Sequence, residues 1–245
     1  MIHSIFGYTS AFLLLGGGGM HFANRFVDAE TRRQRWVKFA TYIVIVGVAI
    51  ATILLNQFYL LALLISAIGL WEIMSHIAKL PSYTGRGTMV SVYMAIAATF
   101  ITFAAAFNQT FFLFIYFQIF IFDGFSQVVG QLFGKRKILP TISPGKTLEG
   151  LIGGTLFCCI AAISAKSWIA FSIPGALTIG LLTAALSFTG DALASYFKRK
   201  TNIKDYSHLL PEHGGILDRF DSLMMAGAGY ATLSAFQLSL FQSLQ

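Results

Sequence analysis

The chain has 245 residues, of which 56% are hydrophobic and 11% charged. Soluble domains carry about 25% charged residues, so this composition excludes a water-soluble globule. The net charge of +7 is no argument for nucleic acid, because in so apolar a chain the placement of Lys and Arg between the apolar runs carries the information. The expected class is an all-α integral membrane protein: one membrane domain over residues 1–245, a polytopic bundle of about eight transmembrane helices with a polar site at its cytoplasmic end.

The first apolar run is Ile2 to Phe22, with four glycines at 16–19. No basic residue precedes it, so a cleaved signal peptide is not expected and the helix stays. Arg25 to Lys38 reads as a basic, amphipathic cytoplasmic connection. Phe39–Leu55 and Phe58–Ile77, separated only by Asn56 and Gln57, predict a helical hairpin. Lys79–Gly87 predicts a loop, and Met89–Phe107 with Thr110–Val129 a second hairpin about Asn108 and Gln109. The Phe-rich part of that run reads as lipid-facing surface and core packing. A basic loop over Gly130–Thr147 precedes a third hairpin, Leu148–Ala165 and Trp168–Thr189, about Lys166; Leu223–Leu240 predicts the last helix. Adjacent Cys158 and Cys159 read as small apolar packing groups. With eight helices, 16 of the 17 Lys and Arg residues fall on one side and only Lys166 on the other. The positive-inside rule then puts the basic loops in the cytoplasm and both termini outside.

Ser187 to Asp221 holds five of the ten acidic residues, Asp191, Asp205, Glu212, Asp218 and Asp221. Beside them stand Lys198, Arg199, Lys200, Lys204 and Arg219, a mixture suited to a metal-bound, phosphorylated substrate. A helix continuing past Thr189 would align Asp191, Ser195 and Lys198 or Arg199 on one face. Asp218 and Asp221 are one turn apart and could bind a divalent cation, with Asp191 completing the site from another element. His213, Gly214 and Gly215 form a turn whose backbone N–H groups could approach a phosphate. Upstream, Asp123 lies in an apolar run, where a carboxylate is a functional candidate by default. The segment Ser143 to Gly150 (SPGKTLEG) brings Ser143, Lys146, Thr147 and Glu149 to a helix start. That loop lacks the first glycine of a phosphate-binding loop and no strand is expected before it. Glu72 is left without an assignment.

The run SYFKRKTNIKDYSHLLPEHGGILDRFD resembles the signature of the phosphatidate cytidylyltransferases, with Ser195, Lys198-Arg199, Lys204-Asp205, His213-Gly214-Gly215 and Asp218-Arg219-x-Asp221 in step. The segments DGFSQVVGQLFGK and SPGKTLEG resemble two further motifs of that family. The likeness runs from about Asp123 to Asp221, dividing the chain into N-terminal helices (1–122), a catalytic motif region (123–221) and a C-terminal helix (222–245). It implies transfer of CMP from CTP to phosphatidate in the lipid bilayer, giving CDP-diacylglycerol and pyrophosphate, for phospholipid biosynthesis. By the same resemblance Asp191, Asp218 and Asp221 are the ligands of Mg²⁺, with a second, monovalent cation left open. Lys146, Lys198, Arg199, Lys204 and Arg219 would hold phosphates; Asp205 and His213 would orient them, while Asp123, Ser143, Thr147, Glu149, Ser195, Gly214 and Gly215 would line the substrate site. No nucleic-acid partner is expected, a homodimer is left open, and the implied location is a cell (inner) membrane with the site facing the cytoplasm. Two positions depart from the family pattern: Ala194, where a glutamate is common, and Glu212, where glycine is common. The alternatives are a cytidylyltransferase for another lipid phosphate, such as an archaeal ether lipid, and an ion-coupled transporter using Asp123 and Asp191.

Overall fold

In the computed structural model the described residues are 24–26, 28–80, 82–210 and 214–236, with isolated positions before residue 24. The predicted first helix at 2–22 therefore lies almost wholly outside them, as do Glu212, His213 and the end of the last predicted helix. The described chain forms seven helices and one small hairpin of strands. In order these are α1 (Ala29–Leu54), α2 (Phe58–Ile77), α3 (Tyr83–Ala106), α4 (Gln109–Phe133), β1 (Lys137–Leu139), β2 (Ser143–Thr147), α5 (Leu148–Ser164), α6 (Ile173–Lys200) and α7 (Leu217–Ala235). Five of them, α1 to α4 and α6, are long and apolar enough to cross a membrane, whereas α5 is apolar but shorter.

Several boundaries differ from the hydropathy reading: α6 runs Ile173–Lys200 and not Trp168–Thr189, α7 starts at Leu217 and not Leu223, and three others differ for local reasons. The connection expected over Arg25–Lys38 is largely the first turns of α1. Asp28 caps that helix, accepting from the Thr31 N–H at 2.9 Å and its hydroxyl at 2.7 Å, and these bonds hold the Asp28 carboxyl below the usual range. The loop expected over Lys79–Gly87 gives way to helix at Tyr83, where Ser82 caps and Arg86 donates back to the carbonyls of Leu80 (2.7 Å) and Ala78 (3.1 Å). Residues 130–147 are not an irregular loop. Helix α4 runs to Phe133, then β1 pairs antiparallel with β2, so SPGKT is itself a strand where none was expected.

Packing is tightest where small residues let helices approach. Along α5, Gly150, Gly153 and Gly154 meet α4 so closely that a Cβ on any of them would overlap Ser126, Val129 or backbone of that helix. Gly190 does the same between α6 and α7: a Cβ there would stand 2.7 Å from the Asp221 carbonyl and from the Met225 Cβ. Since Asp191 follows Gly190 directly, this crossing brings together the backbone segments that carry Asp191 and Asp221. Deeper in the bundle, the Tyr230 hydroxyl pairs with the Thr183 hydroxyl at 2.7 Å and donates to the Ile179 carbonyl at 3.1 Å. The Phe-rich segment turns out to be core. Phe111, Phe112 and Phe114 are all 0% exposed, and Phe112 stacks on Phe103 with ring centres 5.2 Å apart. Leu60, Leu64, Trp71, Leu181 and Ile152 are exposed, as lipid-facing side chains must be.

Candidate active site

Helix α6 does continue past Thr189, to Lys200, and it carries Asp191, Ser195 and Lys198 into the region where α4, α7 and β2 meet. Asp191 receives Lys146 of β2 at 2.6 Å and the Ser195 hydroxyl at 3.3 Å. The Lys146 ammonium also lies over the Phe188 ring, 4.7 Å from its centre. Asp191 remains 44% exposed, so it keeps oxygen surface for a ligand. Asp221, on α7, accepts from the Ser222 N–H at 2.7 Å. The charges of Asp123, Asp191 and Asp221 act on one another, with those of Lys146 and Arg219 set against Asp123. Asp123 and Arg219 are both exposed. Among these described groups the one direct ion pair is Lys146–Asp191, and Lys198 of α6 also acts on Asp221 through its charge.

Asp218 stands one turn before Asp221 on α7. It is buried, and both its oxygens are occupied: Oδ1 by Lys198 at 2.6 Å, Oδ2 by the N–H groups of Tyr206 and Gly215, both at 2.8 Å. Asp218, one of the three expected metal ligands, here accepts from three donors. Lys198 is likewise committed to it, with a side chain only 13% exposed. Tyr206, which the sequence reading passed over, closes this unit. Its hydroxyl donates to the Ala194 carbonyl at 3.1 Å, and burial pushes its phenol up. Ala194, Tyr206 and Asp221 also border a cavity of about 30 Å³.

The glycine pair also differs from its expected use. Gly214 has φ of +81°, a left-handed conformation that side chains rarely adopt. The Gly215 N–H, however, points at Asp218 and not toward open space, so it is no free phosphate donor. Asp205 borders Gly214, while Lys204 is exposed.

Several other expected ligands hold the hairpin instead. Thr147 caps α5, its hydroxyl accepting from the Gly150 N–H at 3.1 Å. Glu149 accepts from the N–H groups of Lys135 (2.9 Å) and Arg136 (3.1 Å). Arg199 donates to the carbonyls of Ile142 (3.0 Å) and Ile203 (3.1 Å), tying the strand turn to the end of α6. Ser143 pairs opposite Leu139 in the ladder. These residues fix where Lys146 stands.

Glu72 of α2, unassigned from sequence, is 0% exposed. It accepts from the Ser207 hydroxyl at 2.6 Å and from the N–H groups of Ile216 (2.9 Å) and Leu217 (2.8 Å). A pairing across 145 positions leaves no trace in local spacing.

Known proteins similar to this chain include phosphatidate cytidylyltransferases of several bacteria. The phosphatidate cytidylyltransferase of Haemophilus influenzae is 40% identical over 123 residues, which are 46% of this chain and 42% of that protein. That of Aquifex aeolicus is 32% identical over 141 residues, 58% of this chain and 53% of the relative. That of Pseudomonas aeruginosa is 46% identical over 108 residues, 42% and 40% of the two. The chain thus spans about half the length, or less, of these curated relatives. A family model described as the cytidylyltransferase family matches residues 82–236, a segment that begins at α3 and ends just past α7. On that match, which takes in more than half of the sequence, the chain belongs to the cytidylyltransferase family.

Proposed function

We propose that this chain transfers the cytidylyl group of CTP to phosphatidate, giving CDP-diacylglycerol and pyrophosphate. The observation that carries the reading is the Lys146–Asp191 ion pair at 2.6 Å, set where Gly190 packs on the Asp221 backbone at the meeting of α6, α7 and β2. Phosphoryl transfer asks little covalent chemistry of a protein and much positioning of charge. A phosphatidate phosphate oxygen attacks the α-phosphorus of CTP, forming the new P–O bond. The bond from that phosphorus to the oxygen bridging toward the β-phosphate breaks, and pyrophosphate departs with the electron pair. Lys146, Arg219 and the exposed Lys204 would take phosphate oxygens.

The donor set suits Mg²⁺. Among the described residues no three His, Cys, Asp or Glu side chains close on an ion by themselves, but Mg²⁺ is usually held by one or two carboxylates together with water and phosphate oxygens. Asp191 and Asp221, whose charges oppose each other, would hold it, with Asp123 beside them. When bound, it would neutralise charge on the triphosphate. Phosphatidate resides in the bilayer, and the basic loops favour a cytoplasmic site in a cell membrane.

The test is pyrophosphate release from CTP by purified protein in detergent, with and without phosphatidate and Mg²⁺. Turnover that needs both and disappears in Asp221→Asn is expected. Turnover with another lipid phosphate but none with phosphatidate would replace the substrate. Full activity of Asp221→Asn would remove the acid cluster from the reaction.

A further inference from the structure

Helix α7 carries Arg219 and Asp221, yet it has no side-chain cap of its own: Ile216 stands at its N-cap and offers no acceptor. Its first N–H groups would be orphaned inside the bundle, where an unpaired buried donor is costly. The Glu72 carboxylate of α2 takes them. Oε2 accepts from the Leu217 N–H, and Oε1 from the Ile216 N–H and the Ser207 hydroxyl. Gly215 packs directly on the same carboxylate, where a Cβ would stand 2.7 Å from Glu72 Cδ. One buried acid therefore gathers both ends of the 207–217 segment and the start of α7. The arrangement does not look like generic bundle packing, since every acceptor atom of the side chain is spent on this one segment.

We infer that Glu72 is a positioning residue for the reaction: from a helix ahead of the matched segment 82–236, it fixes the N-terminus of α7 and through it the placement of Arg219 and Asp221. The inference rests on the proposed cytidylyl transfer. Glu72 touches neither Arg219 nor Asp221 through any of these bonds, so its effect passes through the helix start. A displacement of about 1 Å at reacting groups can cost about 100-fold in rate.

Full-length wild type, Glu72→Gln and Glu72→Asp are compared in detergent, well below the lowest melting temperature of the three. Hydrogen exchange at the Ile216 and Leu217 amides reports whether the carboxylate holds them. Activity per folded molecule reports whether that matters for reaction. Glu72→Gln, which turns an NH₂ toward N–H donors, should lose amide protection and about 10- to 100-fold in kcat, with KM for CTP within about threefold. Glu72→Asp keeps the charge but is shorter, and should fall between the two. A Gln variant with wild-type kcat per folded molecule and only a lower melting temperature would overturn the proposal, because Glu72 would then serve stability alone. If Glu72→Gln does not accumulate folded, Glu72→Asp decides: wild-type kcat overturns the proposal and a reduced kcat supports it. Wild-type protein without CTP turnover would sink the reaction reading, whereas retained protection of the two amides in Glu72→Gln would sink this inference alone.

Discussion

Asp218 and Asp221 occupy the same face of α7 one turn apart, and their surroundings give them opposite parts. Asp218 is locked by Lys198 and two backbone donors, whereas Asp221 faces other carboxylates. Breaking a buried ion pair from one side costs about 3–5 kcal/mol, because the remaining charge loses its partner. Lys198→Met should therefore lower the melting temperature in detergent sharply, while Asp221→Asn should leave melting near wild type and remove turnover. A thermal-shift assay beside the pyrophosphate assay separates them; equal melting losses in both would contradict the division. The spacing of these acids and bases was plain in the sequence, and so was Asp123, an acid amid apolar neighbours. What spacing could not reveal was which carboxylate the backbone would consume. That depends on where the N–H groups of Tyr206 and Gly215 point, which only the folded loop decides.

Among the elements, the α6–α7 crossing governs how near Asp191 and Asp221 come. Gly190 has no room for a side chain against the Asp221 backbone and Met225, so adding a methyl pushes the two helices apart. Overpacking of this kind costs about 1–3 kcal/mol in stability. The larger effect of Gly190→Ala should be on rate, about 10- to 100-fold in kcat, since the separation falls on the reacting groups. Wild-type kcat in that variant would show that the crossing tolerates an extra ångström. The apolar runs made most of these helices legible, with Asn56 and Asn108 marking two hairpins. Hydropathy failed at the ends, where Asp28, Ser82 and the polar turns of α6 extend helices beyond the apolar stretch, and it had no means of seeing a strand of five residues in SPGKT.

At the scale of the whole molecule, the short helix α5 joins the site hairpin to the turn at Lys166–Trp168. Its 17 residues, at about 1.5 Å each, span about 26 Å, a little less than the roughly 30 Å hydrocarbon thickness of a bilayer. Helix α5 is thus apolar but shorter than the five helices long enough to cross a membrane. The basic residues Lys135, Arg136 and Lys137 cluster at its Lys146 end, and under the proposed function the positive-inside rule predicts that this end faces the cytoplasm. Cys158 and Cys159 are buried and unpaired, so both can be replaced by alanine to leave a background for labelling. In that background Ser167→Cys should react with a membrane-impermeant maleimide on intact cells, and Lys137→Cys should react only after the membrane is opened. The reverse pattern would turn the protein over and put its acid cluster on the side where CTP is absent, leaving the proposed reaction without its nucleotide.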